Sequence, residues 1–224
     1  MPNAYGSDIL NKALAEEDLY GAGCLQRISE IESLGVSKWI AMTCGFWYEW
    51  SLAMPLGFAI DIKNKKATFF DDGKTRVNVS TWGQCGRALA RLLSLKELPE
   101  DENDKTPTVS QWGNKPLYIS SFKISQRDML DSVEKIMGTT DTEWDIEYVP
   151  SGERYKNGLE ELKAGNRTGF AKAMYTRIFF PNGDGDFDSS RGLANSAIGL
   201  PEDSLEEATN RVVEMVGSGW NPFA

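Results

Sequence analysis

The sequence contains no histidine among its 224 residues. That removes Ser-His-Asp and Cys-His catalysis in their usual forms, and histidine-ligated zinc with them. Its three cysteines, Cys24, Cys44 and Cys85, are far apart and form no CxxC pair, so neither a zinc ribbon nor a redox dithiol is expected. Scattered thiols of this kind fit a reducing compartment, and a cytoplasmic location is the expectation. Positive charge is scarce: 24 Lys and Arg stand against 33 Asp and Glu, for a formal net charge of −9. An acidic surface without a basic cluster repels phosphate backbones, which argues against nucleic acid as a partner. The opening "MPNAYGSDIL" has neither the basic region nor the long apolar region of a signal peptide.

One segment is poor in charge. Residues 39–60, "WIAMTCGFWYEWSLAMPLGFAI", hold a single charged side chain, Glu49. The length would span a bilayer, but Gly45, Glu49, Pro55 and Gly57 interrupt it, and a mid-span carboxylate is costly there. A buried strand, "KWIAM", followed by a turn explains it better, and no membrane association is expected. The turn is unusual in carrying Phe46, Trp47, Tyr48 and Trp50 within five positions. Successive strand side chains point to opposite faces, so some of these must enter a cavity or cover a loop. Ligands of open α/β sheets bind beyond the carboxyl ends of strands, and this run sits at such an end. From the residues alone, core and pocket wall stand as equal alternatives.

Helix signals are well punctuated. A helix is predicted over "SDILNKALAEEDL" with Ser7 or Asp8 as N-cap, and another over "CLQRISEIESLG", closed by Gly35. Thr81 with Gln84, and Ser204 with Glu207, read as capping boxes, and Ser125 as an N-cap. "FAIDI", "KATFF" and "TRVNVS" read as a short antiparallel meander, and "PLYISSF" and "EWDIEYV" as further strands. Strands alternating with helices favour an α/β fold in the first half. The second half is richer in helix, and no internal repeat is seen.

The candidate ligand motifs are incomplete. "GAGCLQ" has two of the three dinucleotide-loop glycines and follows a helical run rather than a strand, so it reads as a break between helices. In "VNVSTWGQCGRAL", Gly83 and Gly86 read as small residues that let a helix approach the sheet. "NGDGDFD" resembles a calcium loop but has Ser189 and Asn195 where Gly and Glu belong, and reads as an acidic turn. No Y-x-x-x-K motif occurs; Tyr20 is followed by Cys24 where the lysine would stand, which suggests a helix-packing tyrosine. No metal site is expected.

"PNAYG", "IESLGVSKWIAMTCGFWYEWSL", "ATFFDDGKTRVNVSTWGQCGRALARLL" and "PLYISSFKISQRDMLDSV" occur here in that order. Together they resemble the NmrA-like, isoflavone-reductase-like proteins in the branch common in fungi, a group of atypical short-chain dehydrogenases/reductases. The resemblance runs through nearly the whole chain. It implies the C-terminal part of a Rossmann-type NAD(P)-binding fold, a parallel sheet flanked by helices, plus a smaller α+β substrate-binding domain. By the same resemblance residues 1–224 would be one NmrA-like domain, N-terminally truncated. Residues 1–57 would be a remnant of the nucleotide-binding part, and 58–224 mainly the substrate-binding part with returning sheet strands.

The implied cofactor is NADP(H), and the implied ligand a small aromatic or secondary-metabolite substrate. Asn3, Tyr5, Gly6, Cys44, Gly45 and Phe46 match cofactor-binding positions, while Phe46, Trp47, Tyr48 and Trp50 match the substrate wall. Two departures bear on activity. Ala4 stands where the motif often has Glu. The family's catalytic lysine falls on or near Cys24 or Gln26, and no lysine lies between Lys12 and Lys38. No catalytic residue is therefore carried over, and the glycine-rich phosphate loop has no counterpart. The expectation is an NAD(P)H-dependent reductase impaired or inactive in this form. The alternatives are a non-catalytic NAD(P)-sensing or protein-binding regulator, and a truncated product without cofactor binding. A strand left at a sheet edge would favour self-association.

Overall fold

The structure, a computed structural model, describes residues 6–221. Two helices come first, α1 (Lys12–Glu17) and α2 (Gly21–Leu34), followed by the strand β1 (Ile40–Thr43). The chain then forms β2 (Phe46–Trp47), α3 (Tyr48–Ala53), β3 (Ile60–Asp61), β4 (Lys66–Phe70), β5 (Val77–Ser80) and α4 (Trp82–Leu93). After a long connection come β6 (Lys115–Tyr118), β7 (Phe122–Ile124), α5 (Gln126–Met137) and β8 (Asp145–Val149). The helices α6 (Ser151–Lys163), α7 (Thr168–Ile178), α8 (Phe187–Arg191) and α9 (Leu205–Gly217) complete the described chain.

The fold is α/β. β1 pairs in parallel with β6, and apolar residues cover both faces of this pair. Ala41 packs with Cys24 and Ile28 of α2, while Met42 and Leu117 pack with Ala88 and Leu92 of α4. A strand covered on both sides needs apolar residues at consecutive positions, which is why "KWIAM" shows no alternation. A second sheet orders its strands β2-β5-β7, and a third β3-β4-β8. The segment 39–60 thus divides into strands and a short helix. No helix among the described residues is long and apolar enough to cross a membrane.

The expected meander is only half formed. β3 and β4 make the antiparallel hairpin, but β4 then pairs in parallel with β8, and β5 joins β2 and β7 instead. The largest core lies between these two sheets and α3, α5, α7 and α9, with Phe58, Phe69, Phe70, Tyr175 and Phe179 buried in it. Gln126 ties α5 to the third sheet: its side chain donates to the carbonyls of Phe58 (2.8 Å) and Thr68 (3.0 Å) and accepts from the amide of Phe70 (2.8 Å).

The caps show where local signals succeed and fail. Thr81 accepts from the amide of Gln84 at 3.0 Å, but the Gln84 side chain turns away to the carbonyl of Pro201, so the box is not reciprocal. The amide of Trp82 donates to Glu49 Oε2 at 3.0 Å, so carboxylate already occupies the positive end of α4. A methyl group added at Gly86 would meet open space, so the expected close approach of helix to sheet there is not the reason for that glycine. α1 begins after Asn11, whose side chain accepts from the amide of Leu14, rather than after Ser7 or Asp8.

Candidate substrate cavity

The turn after β1 is built around Gly45. Its φ is +66°, and a Cβ there would lie 2.0 Å from the carbonyl oxygen of Asn78. Only glycine allows both this left-handed backbone and so close an approach to β5. The turn is pinned by its own backbone: Gly45 N–H donates to the Gly6 carbonyl at 2.9 Å, and Ser80 Oγ donates to the Cys44 carbonyl at 2.7 Å. The chain then makes two residues of strand, with Phe46 opposite Val79 and Trp47 opposite Ser80, and enters α3.

That switch from strand to helix sorts the aromatic run. Residues three apart on a helical turn share a side, and Trp47 and Trp50 meet edge to face with ring centroids 6.4 Å apart. Both, with Phe46, line a cavity of about 350 Å³ whose other walls are Gly6, Ser7, Asp18, Tyr20, Ser51, Phe170, Met174 and Tyr175. Phe46 stacks on Tyr175 with centroids 4.4 Å apart and planes 29° from parallel. Tyr48 points the other way. It is fully buried, packs edge to face on Phe122 and places its hydroxyl 2.7 Å from Thr209 Oγ1.

The structure therefore brings Gly6, Phe46, Trp47 and Trp50 to one cavity. It puts Tyr48 in the core and Gly45 in the adjoining turn. Cys44 is buried away from the cavity, and the neighbouring Cys85 thiol and burial together hold its pKa well above the ordinary thiol value. Asn3 and Tyr5 lie outside the described residues. Cys24, near the expected lysine position, is buried between α2 and β1, and Gln26 is exposed and bonded to Glu30; neither lines the cavity.

Sequence reasoning missed most of the opposite wall. Phe170 and Met174 lie four apart on α7, and Tyr175 follows them. No nearby motif connects them to Phe46. Tyr20, expected as a packing residue, lines the cavity as well. The buried Asp18 carboxylate is spent on local bonds: it accepts from the amides of Tyr20 (2.9 Å) and Gly21 (2.7 Å) and from the Ser7 hydroxyl. The acidic turn is likewise satisfied internally. Arg177 binds Asp184 at 2.6 Å, and Lys123 lies 3.5 Å from Asp186 and 3.3 Å from Asp188. No cluster able to hold a metal ion occurs among the described residues.

Comparison with solved structures places this architecture. The complex of leucoanthocyanidin reductase with NADPH from Vitis vinifera superposes with a TM-score of 0.63 at 14% identity, covering 94% of this chain and 64% of that one. Isoflavone reductase gives 0.62 at 16% identity, covering 96% and 64%. The chain has the fold of these reductases. In sequence it is 25% identical over 177 residues to the oxidoreductase aprR of Aspergillus flavus, which is 79% of this chain and 54% of that protein. The chain thus spans little more than half the length of that curated relative and under two thirds of the two solved reductases. No protein-family model matches it. The resemblance read from the strand, its aromatic sequel and the following hairpin therefore agrees with the three-dimensional likeness.

Proposed function

We propose that the aromatic cavity is the substrate site of an isoflavone-reductase-type protein and takes a small, flat aromatic molecule, with NADP(H) as the nominal hydride donor. The observation that carries this reading is the cavity itself. Phe46, Trp47, Trp50, Phe170, Met174 and Tyr175 enclose about 350 Å³ just beyond the carboxyl end of β1. That is the size and apolar character of a small-ligand site, and the place where α/β sheets bind ligands. The likeness to a reductase solved with NADPH supports the cofactor class.

The described residues fit only part of that cofactor. Flat aromatic walls suit a nicotinamide ring, which supplies hydride when the cofactor is bound. Its phosphates need cations or a glycine-rich helix start. Of the described cavity residues, Asp18 is the charged one, and none is Lys or Arg. The phosphates have no partner among these residues, so no hydride step follows from them. This favours a second reading, in which the cavity binds an aromatic ligand without turnover and the protein acts as a sensor or regulator.

Fluorescence quenching tests the common ground of the two. Acetylnaphthalene, a flat ketone, is expected to quench the emission of Trp47 and Trp50 with saturation in the micromolar range. A linear, unsaturable response up to the solubility limit would overturn both. NADPH absorbance then separates them: consumption with the ketone present identifies a reductase, and binding without consumption identifies the second reading.

A further inference from the structure

We propose that Asn182–Gly183 is a self-modification site: Asn182 loses its side-chain amide through a cyclic imide formed with the Gly183 nitrogen, and the carboxylate that results loosens the tie between α1 and α7. The reading is independent of any ligand in the cavity.

The sequence contains two Asn-Gly pairs, Asn157–Gly158 and Asn182–Gly183. A glycine after asparagine leaves its own amide nitrogen sterically open, and attack of that nitrogen on the asparagine Cγ needs a backbone free to turn. Asn157 and Gly158 lie inside α6, where the helix fixes the backbone. Gly158 also packs so closely on α7 that an added Cβ would stand 2.8 Å from the nitrogen of Ala173. Asn182 and Gly183 are instead both exposed in the turn between α7 and α8. Gly183 has a φ of +82°, and a Cβ there would meet open space. Its amide donates to no acceptor among the described residues, so the nucleophile has no bond to break.

The electrophile is prepared by its neighbour. Asn182 Oδ1 accepts from the amide of Asp184 at 3.1 Å. Attack on Cγ puts negative charge on that oxygen, so this N–H already points at the place where charge develops. Nδ2 donates to Asp184 Oδ2 at 2.9 Å, which fixes the carboxamide. In the step, the bond from the Gly183 nitrogen to Cγ forms and the Cγ–Nδ2 bond breaks. The Gly183 amide proton leaves with Nδ2 as ammonia. Water then opens the imide at either carbonyl and gives aspartate or isoaspartate. The net exchange is one water for one ammonia, with no change of oxidation state.

Asp184 carries the consequence into the fold. Its carboxylate binds Arg177 at 2.6 Å and, also at 2.6 Å, Asn11, the N-cap of α1. Arg177 is buried on α7 and binds Glu17 of α1 at 2.5 Å. Deamidation exchanges a donor to Asp184 for a second carboxylate, so two groups that were bonded now repel. The Arg177–Asp184 contact weakens with them, and α7 is the helix that brings Phe170, Met174 and Tyr175 to the cavity.

The site is tested on wild-type protein incubated at mildly alkaline pH, either folded or in urea, with both Asn-Gly peptides followed by mass spectrometry. Asn182 is expected to convert in the folded protein at least as fast as in urea. Asn157 should convert at least about tenfold more slowly when folded, because its attack requires local unfolding of α6. Slower conversion of Asn182 in the folded protein than in urea would overturn the site. The consequence is tested with Asn182→Asp, which carries the charge of the product, against Asn182→Ser, which removes the amide without adding charge. The melting temperature of Asn182→Asp should lie about 2–4 °C below that of Asn182→Ser. Equal melting temperatures for the two variants would overturn the link to the α1–α7 tie.

Discussion

The hydroxyl of Tyr48 lies 2.7 Å from Oγ1 of Thr209, joining α3 to α9 inside the core. Thr209 sends its own proton to the carbonyl of Leu205 at 2.8 Å, so Tyr48 and Ser132, also at 2.7 Å, must both donate to it. One threonine oxygen thereby ties together α3, α5 and α9. Tyr48→Phe should cost about 1 kcal/mol in chemical denaturation and leave ligand affinity unchanged. Thr209→Val should cost more, about 1–3 kcal/mol for each hydroxyl left without an acceptor. A Tyr48→Phe variant with unaltered stability but weakened ligand binding would put Tyr48 back on the cavity.

Gly45 is the covalent reason the aromatic wall stands where it does. Gly45→Ala forces a left-handed alanine and drives its Cβ into the Asn78 carbonyl, 2.0 Å away. The two penalties together should cost about 2–6 kcal/mol. Because Phe46 follows directly, ligand quenching should be lost in whatever fraction still folds. Folded Gly45→Ala protein with wild-type quenching would show that the turn does not position the wall.

Much of this was legible locally. Gly35, Thr81, Ser125 and Ser204 mark helix ends that the structure reproduces, because a cap is decided within a few residues. Asp8 shows where such reading stops. It looks like an N-cap, and its Oδ1 accepts from the amide of Leu10 at 2.9 Å, but Asn11 caps α1, and the Asp8 carboxylate is held by the Tyr118 hydroxyl at 2.6 Å and by Arg191 at 2.9 Å. Those partners are distant in sequence and leave no local trace. β5 is similar: its alternation identifies a strand, yet its partners are β2 and β7 rather than the preceding hairpin. At the site, Phe46, Trp47 and Trp50 were readable as a cluster at a strand end. The divergence of Tyr48 depended on the switch into α3. Tyr175 depended on α7 packing across the cavity, which no single-sequence pattern encodes.

Three buried tyrosines set the alkaline limit of the fold. Burial raises the pKa of Tyr48 and of Tyr175, the latter to about 12. Burial and the bond to the Asp8 carboxylate raise that of Tyr118. Unfolded tyrosine ionises near 10. Above that pH the unfolded state gives up protons that the folded state keeps. Stability is therefore fully present below about pH 10 and falls as pH rises toward the folded values, by up to about 1.4 kcal/mol per unit for each group. A spectrophotometric titration should show part of the tyrosinate absorbance appearing only with loss of circular dichroism. Complete ionisation near pH 10 with the fold intact would contradict this.

The acidic turn 182–188 should ignore calcium. Burial acts to raise the Asp184 pKa, but Arg177, Asn11 and Asn182 outweigh it and hold the carboxyl below its ordinary value. Asp186 is likewise lowered, as bonds from Ser189 and the charge of Lys123 overcome its burial. These carboxylates already have cationic and amide partners, so adding calcium should leave the melting temperature unchanged. Their stabilisation is present above the unfolded value, near 3.9, and is lost as pH falls through the lower folded values. A calcium-dependent rise in melting temperature would show that the ion displaces Arg177 and Lys123.

Finally, β1 bears on how copies of the chain behave together. Among the described residues it is paired on one side only, by β6. α2 and α4 cover its two faces, and Ala41, Met42 and Thr43 are buried, so only the Ile40 end of the strand meets solvent. In a parallel pair, alternate residues direct their N–H and C=O groups to each side, which leaves part of the Ile40–Thr43 backbone without a strand partner. Such an edge pairs with another chain unless charge, proline or a covering element blocks it. "IAMT" supplies neither charge nor proline. Association through this edge requires the burial of Ala41, Met42 and Thr43 to be opened first, so light scattering should show a rise in mass with concentration across the micromolar range in mild denaturant and none without it. Lys substituted at Ile40, which is half-buried at the start of the strand, should suppress it by placing charge along the edge. A monomer of constant mass over the whole range in mild denaturant as well would mean that β1 is not a route to self-association.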